Sequence, residues 1–202
     1  MQLSIQVEKT FTIALFLVTA LLQNACASGL ERYSLTKQSG IAFVEFNNAA
    51  HGLNVPTRQL ANAKIINFTN ALSVVFSKEK HFSFGVLTRE GLGVPDKQFI
   101  LSDIAEYLIG NKPLPTHQTD AYRAFYETTV TGLSDILIKG LGKPVRTGYL
   151  DIADGNVYIA IGNKEAVLFI YTSTYPDILS QLSLYGFSIN EIEELILQGY
   201  IQ

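Results

Sequence analysis

The sequence predicts an α+β domain, in which an antiparallel sheet with a C-terminal three-stranded meander packs against two long amphipathic helices. Two kinds of pattern predict this fold class. Apolar runs at residues 145–152, 157–161 and 166–173 are separated by Asp154-Gly155 and Gly162-Asn163, and such dipeptides favour tight hairpins because Gly and Asn tolerate positive φ. Apolar residues that recur at spacings of four and three in two further segments are typical of helices with one buried face.

The N-terminal half of the domain is predicted to contain a strand, a long helix, a strand and a short helix. The first strand spans residues 41–46, and turn-forming residues follow it. The long helix is predicted over residues 61–75, because its apolar residues share one helical face. The second strand spans residues 82–88, and Ser102 is placed to cap a short helix that ends before Gly110. The residues on the face of the long helix are Ala61, Ile65, Phe68, Leu72 and Val75.

A second long helix is predicted from its N-cap at Thr119 to Gly140, where it stops. The meander follows this helix. Its middle strand, residues 157–161, is apolar on both faces, so both faces of the sheet are expected to be covered, one of them by the long helices. The residues on the face of the second helix are Tyr122, Tyr126, Thr129, Leu133 and Ile136.

Two helices are predicted to close the chain, over residues 177–185 and 189–198. Each is followed by a glycine, which favours a helix end. Ser188 and Glu191 are spaced as a capping box, in which each side chain bonds to the backbone N–H of the other residue. The predicted order of elements is therefore β-α-β-α-α-β-β-β-α-α.

Residues 1–27 have the pattern of a cleavable secretory signal peptide. A short apolar run at residues 11–22 precedes Ala25 and Ala27, which stand at the positions that signal peptidase reads. The run is too short to span a bilayer, which needs about 20 apolar residues. Cleavage after Ala27 leaves a flexible leader at residues 28–40 and a single α+β domain at residues 41–202.

Cys26, the only cysteine of the chain, leaves an alternative open. Lipidation at Cys26 would anchor the protein, although Gln23 stands where lipoprotein signals carry an apolar residue. A third interpretation is an uncleaved anchor or a buried N-terminal helix. The expected location is the periplasm or the extracellular space, with membrane association only if Cys26 is lipidated. Removal of the signal would leave no thiol, so neither disulfides nor cysteine catalysis are expected.

Charge and motif content argue against several functions. The formal net charge is −3 and the basic residues are scattered, so nucleic acid is not an expected partner. No pair of histidines has the spacing of zinc ligands, and we expect neither a metal nor another cofactor. His51 and His117 lie in predicted loops and are weak candidates for a catalytic role, because a lone loop histidine is more often solvated.

Tyrosines form the one group of residues that indicates binding. Tyr149, Tyr158 and Tyr171 lie one on each meander strand, either as half-buried core aromatics or as the lining of an aromatic ligand-binding face. The leading hypothesis is an exported, non-catalytic protein that binds a protein or small-molecule ligand, with an inhibitor or immunity-type role as one version. The alternatives are an exported hydrolase with a dispersed His/carboxylate site and a lipid-anchored envelope assembly factor. Whether the protein is an enzyme stays open, with the lack of a dense catalytic motif favouring the first hypothesis.

Overall fold

The computed structural model of the protein describes residues 31–32, 43–68, 71–94, 99–109, 119–142, 146–163 and 165–198. Over these residues the fold is mixed α+β and mostly sheet, which confirms the predicted fold class. One sheet has eight strands and the other has two. The strands are β1 (Glu31–Arg32), β2 (Phe43–Asn47), β3 (Gly52–Pro56), β4 (Lys64–Asn67), β5 (Ala71–Ser77), β6 (Lys80–Thr88), β7 (Arg146–Ile152), β8 (Gly155–Ile161), β9 (Glu165–Thr172) and β10 (Ile178–Tyr185).

The helices lie between β6 and β7 and after β10. The short helix α1 confirms a predicted element, although Ile100 and not Ser102 holds its N-cap position. The helix predicted over residues 189–198 is also confirmed. The helices are α1 (Leu101–Leu108), α2 (Asp120–Phe125), α3 (Thr131–Leu141) and α4 (Ile189–Gln198), and a 3₁₀ turn spans Thr57–Leu60.

The second long helix is confirmed as one continuous run, in which the π-helical turn Tyr126–Val130 joins α2 to α3. The backbone N–H of Thr131 donates to the Tyr126 carbonyl five residues earlier, which is the spacing of a π-turn. The Thr131 hydroxyl donates to the same carbonyl at 2.8 Å. Thr119 holds the N-cap position, but its side chain makes no capping hydrogen bond. The run ends at Leu141, one residue after the predicted Gly140.

The strands of the large sheet lie in the order β1-β7-β8-β9-β10-β6-β5-β4. All neighbours are antiparallel except β1, which pairs with β7 in parallel. The predicted meander is confirmed as β7-β8-β9. Its first turn is displaced by one residue, because Ile152 pairs with Gly155 and leaves Ala153 and Asp154 at the centre.

Both faces of the large sheet carry a hydrophobic core, as the apolar middle strand β8 predicted. Val157 and Ile159 belong to one core, whereas Tyr158 and Ala160 belong to the other. The hairpin of β2 and β3, together with α4, covers the first face. Helices α1, α2 and α3 cover the second. We call these the hairpin side and the helix side of the sheet.

The long helix predicted over residues 61–75 is wrong, because this segment contains β4 and β5. Leu72 and Val74 point into the hairpin-side core with the period of two that a strand requires. Ile65 and Phe68, which the helical spacing would have buried, are exposed. The β-branched residues of the segment favour a strand, since they pack well on a pleated surface. The spacing of four and three arises by chance from two adjacent strands.

The closing helix predicted over residues 177–185 is also wrong, because this segment is β10, hydrogen-bonded between β9 and β6. Leu182 and Leu184 enter the hairpin-side core and Leu179 enters the helix-side core. Leucine favours a helix, but intrinsic preference is small, and burial on both faces of a central strand overrides it. The part of the chain that the structure describes therefore contains one long helical run and not two.

The predicted signal peptide at residues 1–27 lies outside the described residues, and of the predicted leader at residues 28–40 only Glu31 and Arg32 are described. The division into signal, leader and domain therefore stays a prediction. Within the described ranges, no helix combines the length and the apolar character that crossing a membrane requires.

Candidate functional site

His51 lies in a buried cluster of polar side chains between the hairpin and the large sheet. Its side chain is buried, with 3% of the residue surface exposed. The ring Nδ1 lies 2.6 Å from the hydroxyl of Ser180 on β10, and Nε2 lies 3.0 Å from the hydroxyl of Thr172 on β9. Both ring nitrogens therefore bond to hydroxyls, and the expectation of a solvated loop histidine is wrong for this residue.

Asn48 explains why the turn between β2 and β3 carries His51 into this position. The Asn48 side-chain oxygen accepts hydrogen bonds from the backbone N–H groups of Ala50 and His51, each at 2.9 Å, and such a contact folds the chain into a compact turn. The Asn48 amide nitrogen donates to the Ser180 hydroxyl at 2.9 Å. The cluster thus fastens the tip of the hairpin to two central strands of the sheet.

The chemistry of the cluster suits structural support better than hydrolysis. Burial lowers the pKa of His51, and the nearby charge of Asp154 opposes that shift in part, so the imidazole is neutral at physiological pH. The 2.6 Å between the His51 ring nitrogen and the Ser180 hydroxyl is close enough for a catalytic nucleophile and its general base. However, Ser180 has no exposed surface, and a substrate carbonyl therefore has no access to this hydroxyl in the conformation described.

Of the other residues predicted from the sequence, the three tyrosines lie on the helix side of the sheet, whereas the His51 cluster lies on the hairpin side. His117 and Cys26 lie outside the described residues. Tyr149 and Tyr158 are cross-strand neighbours on β7 and β8, and Tyr158 is a core residue with 5% of its surface exposed. Tyr149 and Tyr171 are half-buried and pack against the same helix-side core. That these tyrosines contact a ligand stays a prediction.

A surface pocket with a volume of about 380 Å³ lies at the other end of the hairpin side, and no motif in the sequence predicts it. Its volume falls in the range of about 300–1,000 Å³ that small-molecule sites occupy. Two aromatic rings, two cations and one carboxylate form its walls. The lining residues are Arg58, Phe76, Lys80, Phe187 and Glu191.

Phe76 reaches the pocket because of an irregularity in β5. The register between β5 and β6 shifts between Val75 and Ser77, so Phe76 is the extra residue of a β-bulge. Bulges commonly redirect a side chain at the edge of a functional site. The Phe76 ring meets that of Phe187 edge to face, with 5.7 Å between the ring centroids, and the pair forms the apolar wall of the pocket.

Lys80 is the central cation of the pocket. Its ammonium nitrogen lies 4.6 Å from the ring centroid of Phe187 and 5.9 Å from that of Phe76, distances at which a ring attracts a cation. The same nitrogen lies 2.5 Å from the carboxylate of Glu191. Lys80 thus joins the apolar wall of the pocket to its acidic residue.

Glu191 is held in place by the start of α4. Its carboxylate accepts a hydrogen bond from the Ser188 N–H at 2.9 Å, and the Glu191 N–H donates to the Ser188 hydroxyl at 3.3 Å, which confirms the predicted capping box. The hydrogen bond from Lys80 and the backbone bond from Ser188 lower the pKa of Glu191. The carboxylate is therefore ionised at neutral pH, and among the described lining residues two cations stand against this one carboxylate.

The chain matches no model of a known protein family and no curated protein. The site must therefore be interpreted from its own chemistry. Across the described ranges, no group of three or more His, Cys, Asp or Glu side chains is arranged to hold a metal ion. What the pocket presents is an aromatic wall beside positive charge, and this combination suits noncovalent capture of a ligand.

Proposed function

We propose that the protein is an exported, non-catalytic binding protein, and that the pocket lined by Phe76, Lys80 and Phe187 takes a small molecule with an apolar ring and an acidic group. The observation that carries this proposal is the Lys80 ammonium above the ring of Phe187, at 4.6 Å from its centroid. An aromatic ligand would extend the wall formed by the two phenylalanines. A carboxylate on that ligand would compete with Glu191 for Lys80 and would also meet the charge of Arg58.

The burial of Ser180 and His51, a pair with the distance of a nucleophile and its base, supports binding without catalysis. The contact between Ser180 and His51 is buried, and the pocket lies on other residues. Binding without turnover requires only the noncovalent contacts that the pocket offers. A hydrolase would instead need an exposed nucleophile near its base.

Titration with phenylacetate, followed by calorimetry, tests the proposed ligand class. We expect phenylacetate to bind, to be recovered chemically unchanged, and to bind about tenfold more tightly than its neutral analogue phenylacetamide, since one charged contact is worth about 1.4 kcal/mol. The Lys80→Met variant keeps an apolar stem over the rings but loses the charge. It should bind phenylacetate about tenfold more weakly.

Lys139→Met is the matched control, because Lys139 is an exposed lysine on α3, on the helix side of the sheet. This variant should bind phenylacetate as the unmodified protein does. Equal affinities for phenylacetate and phenylacetamide, no binding at millimolar concentration, or an unchanged affinity in Lys80→Met would each contradict the proposed ligand class.

The export step is tested separately by the intact mass of the protein secreted from its producing cell. We expect a chain that begins at Ser28, because Ala25 and Ala27 suit signal peptidase. A diacylated N-terminal Cys26 would instead identify a lipid-anchored protein. Retention of Met1 would contradict both forms of export.

A further inference from the structure

The outer edge of β4 carries an unusual amount of apolar surface. β4 ends the strand order of the large sheet, and no strand in the described ranges pairs with its outer side. Ile65, Ile66 and Phe68 are exposed by 53%, 43% and 49%. Natural proteins usually protect such an edge with charge, proline or a covering segment, because its free N–H and C=O groups can pair with another strand. Here Lys64 is the only charged residue of the strand.

The backbone groups that point outward from this edge can be identified from one hydrogen bond. The Phe68 N–H donates inward to the Ala71 carbonyl at 2.7 Å. Backbone groups along a strand point alternately to its two sides, so those of Lys64 and Ile66 also point inward to β5. Those of Ile65 and Asn67 therefore point outward and have no partner strand among the described residues.

We propose that a second copy of this chain pairs with β4 edge to edge, in an antiparallel arrangement about a two-fold axis through Ile66. In this register Ile65 of one copy lies opposite Asn67 of the second copy, and the reverse pair is its symmetry mate. Both pairs consist of residues with outward backbone groups, so each exchanges N–H···O bonds in both directions. The two Ile66 side chains meet at the axis.

Charge also favours this register. Lys64 of one copy lies opposite Phe68 of the second copy, so the lysines of the two strands are not opposed, and like charges directly opposite each other would be unfavourable. A register centred on Ile65 would place Asn67 opposite Ala63. The Ala63 N–H already donates to the Leu60 carbonyl at 3.0 Å, so that register would form fewer bonds.

Cysteine cross-linking tests the register. In a Cys26→Ser background, Ile66→Cys should form a disulfide-linked dimer on oxidation, since residues facing each other at the axis have their Cβ atoms within disulfide reach. Ile65→Cys is the matched control. It lies opposite Asn67 of the second copy and should cross-link much less.

Sedimentation equilibrium tests the dimer without a cross-link. The unmodified protein should shift from monomer to dimer with rising concentration, and Ile66→Lys should shift that equilibrium toward monomer by more than tenfold, because it places two lysines together at the axis. Ile100→Lys changes an isoleucine with 49% exposure elsewhere on the surface and should leave the equilibrium unchanged.

Two results would overturn the proposal. One is a protein that stays monomeric at every concentration. The other is a monomer in which the amides of Ile65 and Asn67 are protected from hydrogen exchange, because that result would show that a segment of the same chain covers β4. Efficient cross-linking of Ile65→Cys with none of Ile66→Cys would reject the register.

Discussion

We expect Gly186→Ala to lower the free energy of unfolding by about 3 kcal/mol. Gly186 has a φ of 73°, a left-handed conformation that costs a residue with a Cβ about 1–2 kcal/mol. A Cβ at this position would also lie 1.8 Å from the carbonyl oxygen of Glu79. Because that oxygen belongs to the backbone, relief requires movement of the chain, and such overpacking costs a further ~1–3 kcal/mol.

The substitution should also weaken binding at the pocket. Gly186 precedes Phe187, and Glu79 precedes Lys80, so the clash separates the two chain segments that bring the ammonium over the ring. Chemical unfolding gives the loss of stability, and phenylacetate titration gives the loss of affinity.

Gly132→Ala is the control for the removal of a glycine. Gly132 lies in α3, and a Cβ there would have no atom within 4 Å, so the variant should gain about 0.5–1 kcal/mol of stability. A Gly186→Ala variant as stable as the unmodified protein would contradict the assigned geometry of this turn.

Local signals in the sequence account for the elements that were predicted correctly. The meander depends on turn residues directly between apolar runs, and the start of α4 depends on Ser188 and Glu191, which are three residues apart. In both cases the interacting residues are only a few positions apart in the chain, so the sequence alone identifies the interaction. The spacing of apolar residues also predicts the helical run from α2 to α3, but only part of its buried face. Tyr122 and Tyr126 are buried as predicted, whereas from the end of the π-helical turn onward the buried residues are Val130, Ser134, Leu137, Ile138 and Leu141.

The errors have a common physical cause. β10 is a strand because β9 and β6 flank it, and β6 is distant from it in the sequence. β5 is likewise held by its pairing with β6 and by the core that Leu72 and Val74 enter. Burial on both faces of a sheet outweighs the preference of a segment for a helix. That burial depends on strands from elsewhere in the chain, so the residue pattern within the segment does not predict it.

The same reasoning applies to the candidate site. The sequence predicts Glu191 as part of a capping box, and the structure confirms the box. The second partner of Glu191, Lys80, lies at the start of β6, far away in the sequence. The β-bulge at Phe76 and the left-handed Gly186 orient the two rings. Neither feature leaves a recognisable signal, because each depends on the register of strands that pair across the sheet.

His51→Leu should destabilise the protein by about 2–4 kcal/mol. Leucine is similar in size but cannot bond to the hydroxyls of Thr172 and Ser180, which are 4% and 0% exposed. A buried hydroxyl that loses its partner costs about 1–3 kcal/mol, although Ser180 keeps its bond from Asn48. His81→Leu is the control, because the His81 ring stacks on Tyr185, whose side chain is exposed, at 5.2 Å and should contribute less.

The pH dependence of stability gives an independent readout of the same residue. Burial lowers the pKa of His51 in the folded protein. Above about pH 6.5 the His51 imidazole is therefore uncharged in both the folded and the unfolded protein. Below that pH the unfolded chain takes up a proton that the folded protein resists, so the free energy of unfolding falls by up to about 1.4 kcal/mol per pH unit. Burial lowers the pKa of His81 as well, so each histidine contributes part of the slope.

Unfolding of the unmodified protein and of His51→Leu at about pH 7.5 and about pH 5 separates the two contributions. We expect the variant to lose part of the slope while the remaining part follows His81. Equal slopes in the two proteins would mean that His51 takes up its proton without cost, which is inconsistent with a neutral imidazole buried between two hydroxyls. A hydrolytic role would add one further outcome, the loss of turnover in His51→Leu, to a loss of stability that follows from the same buried contacts.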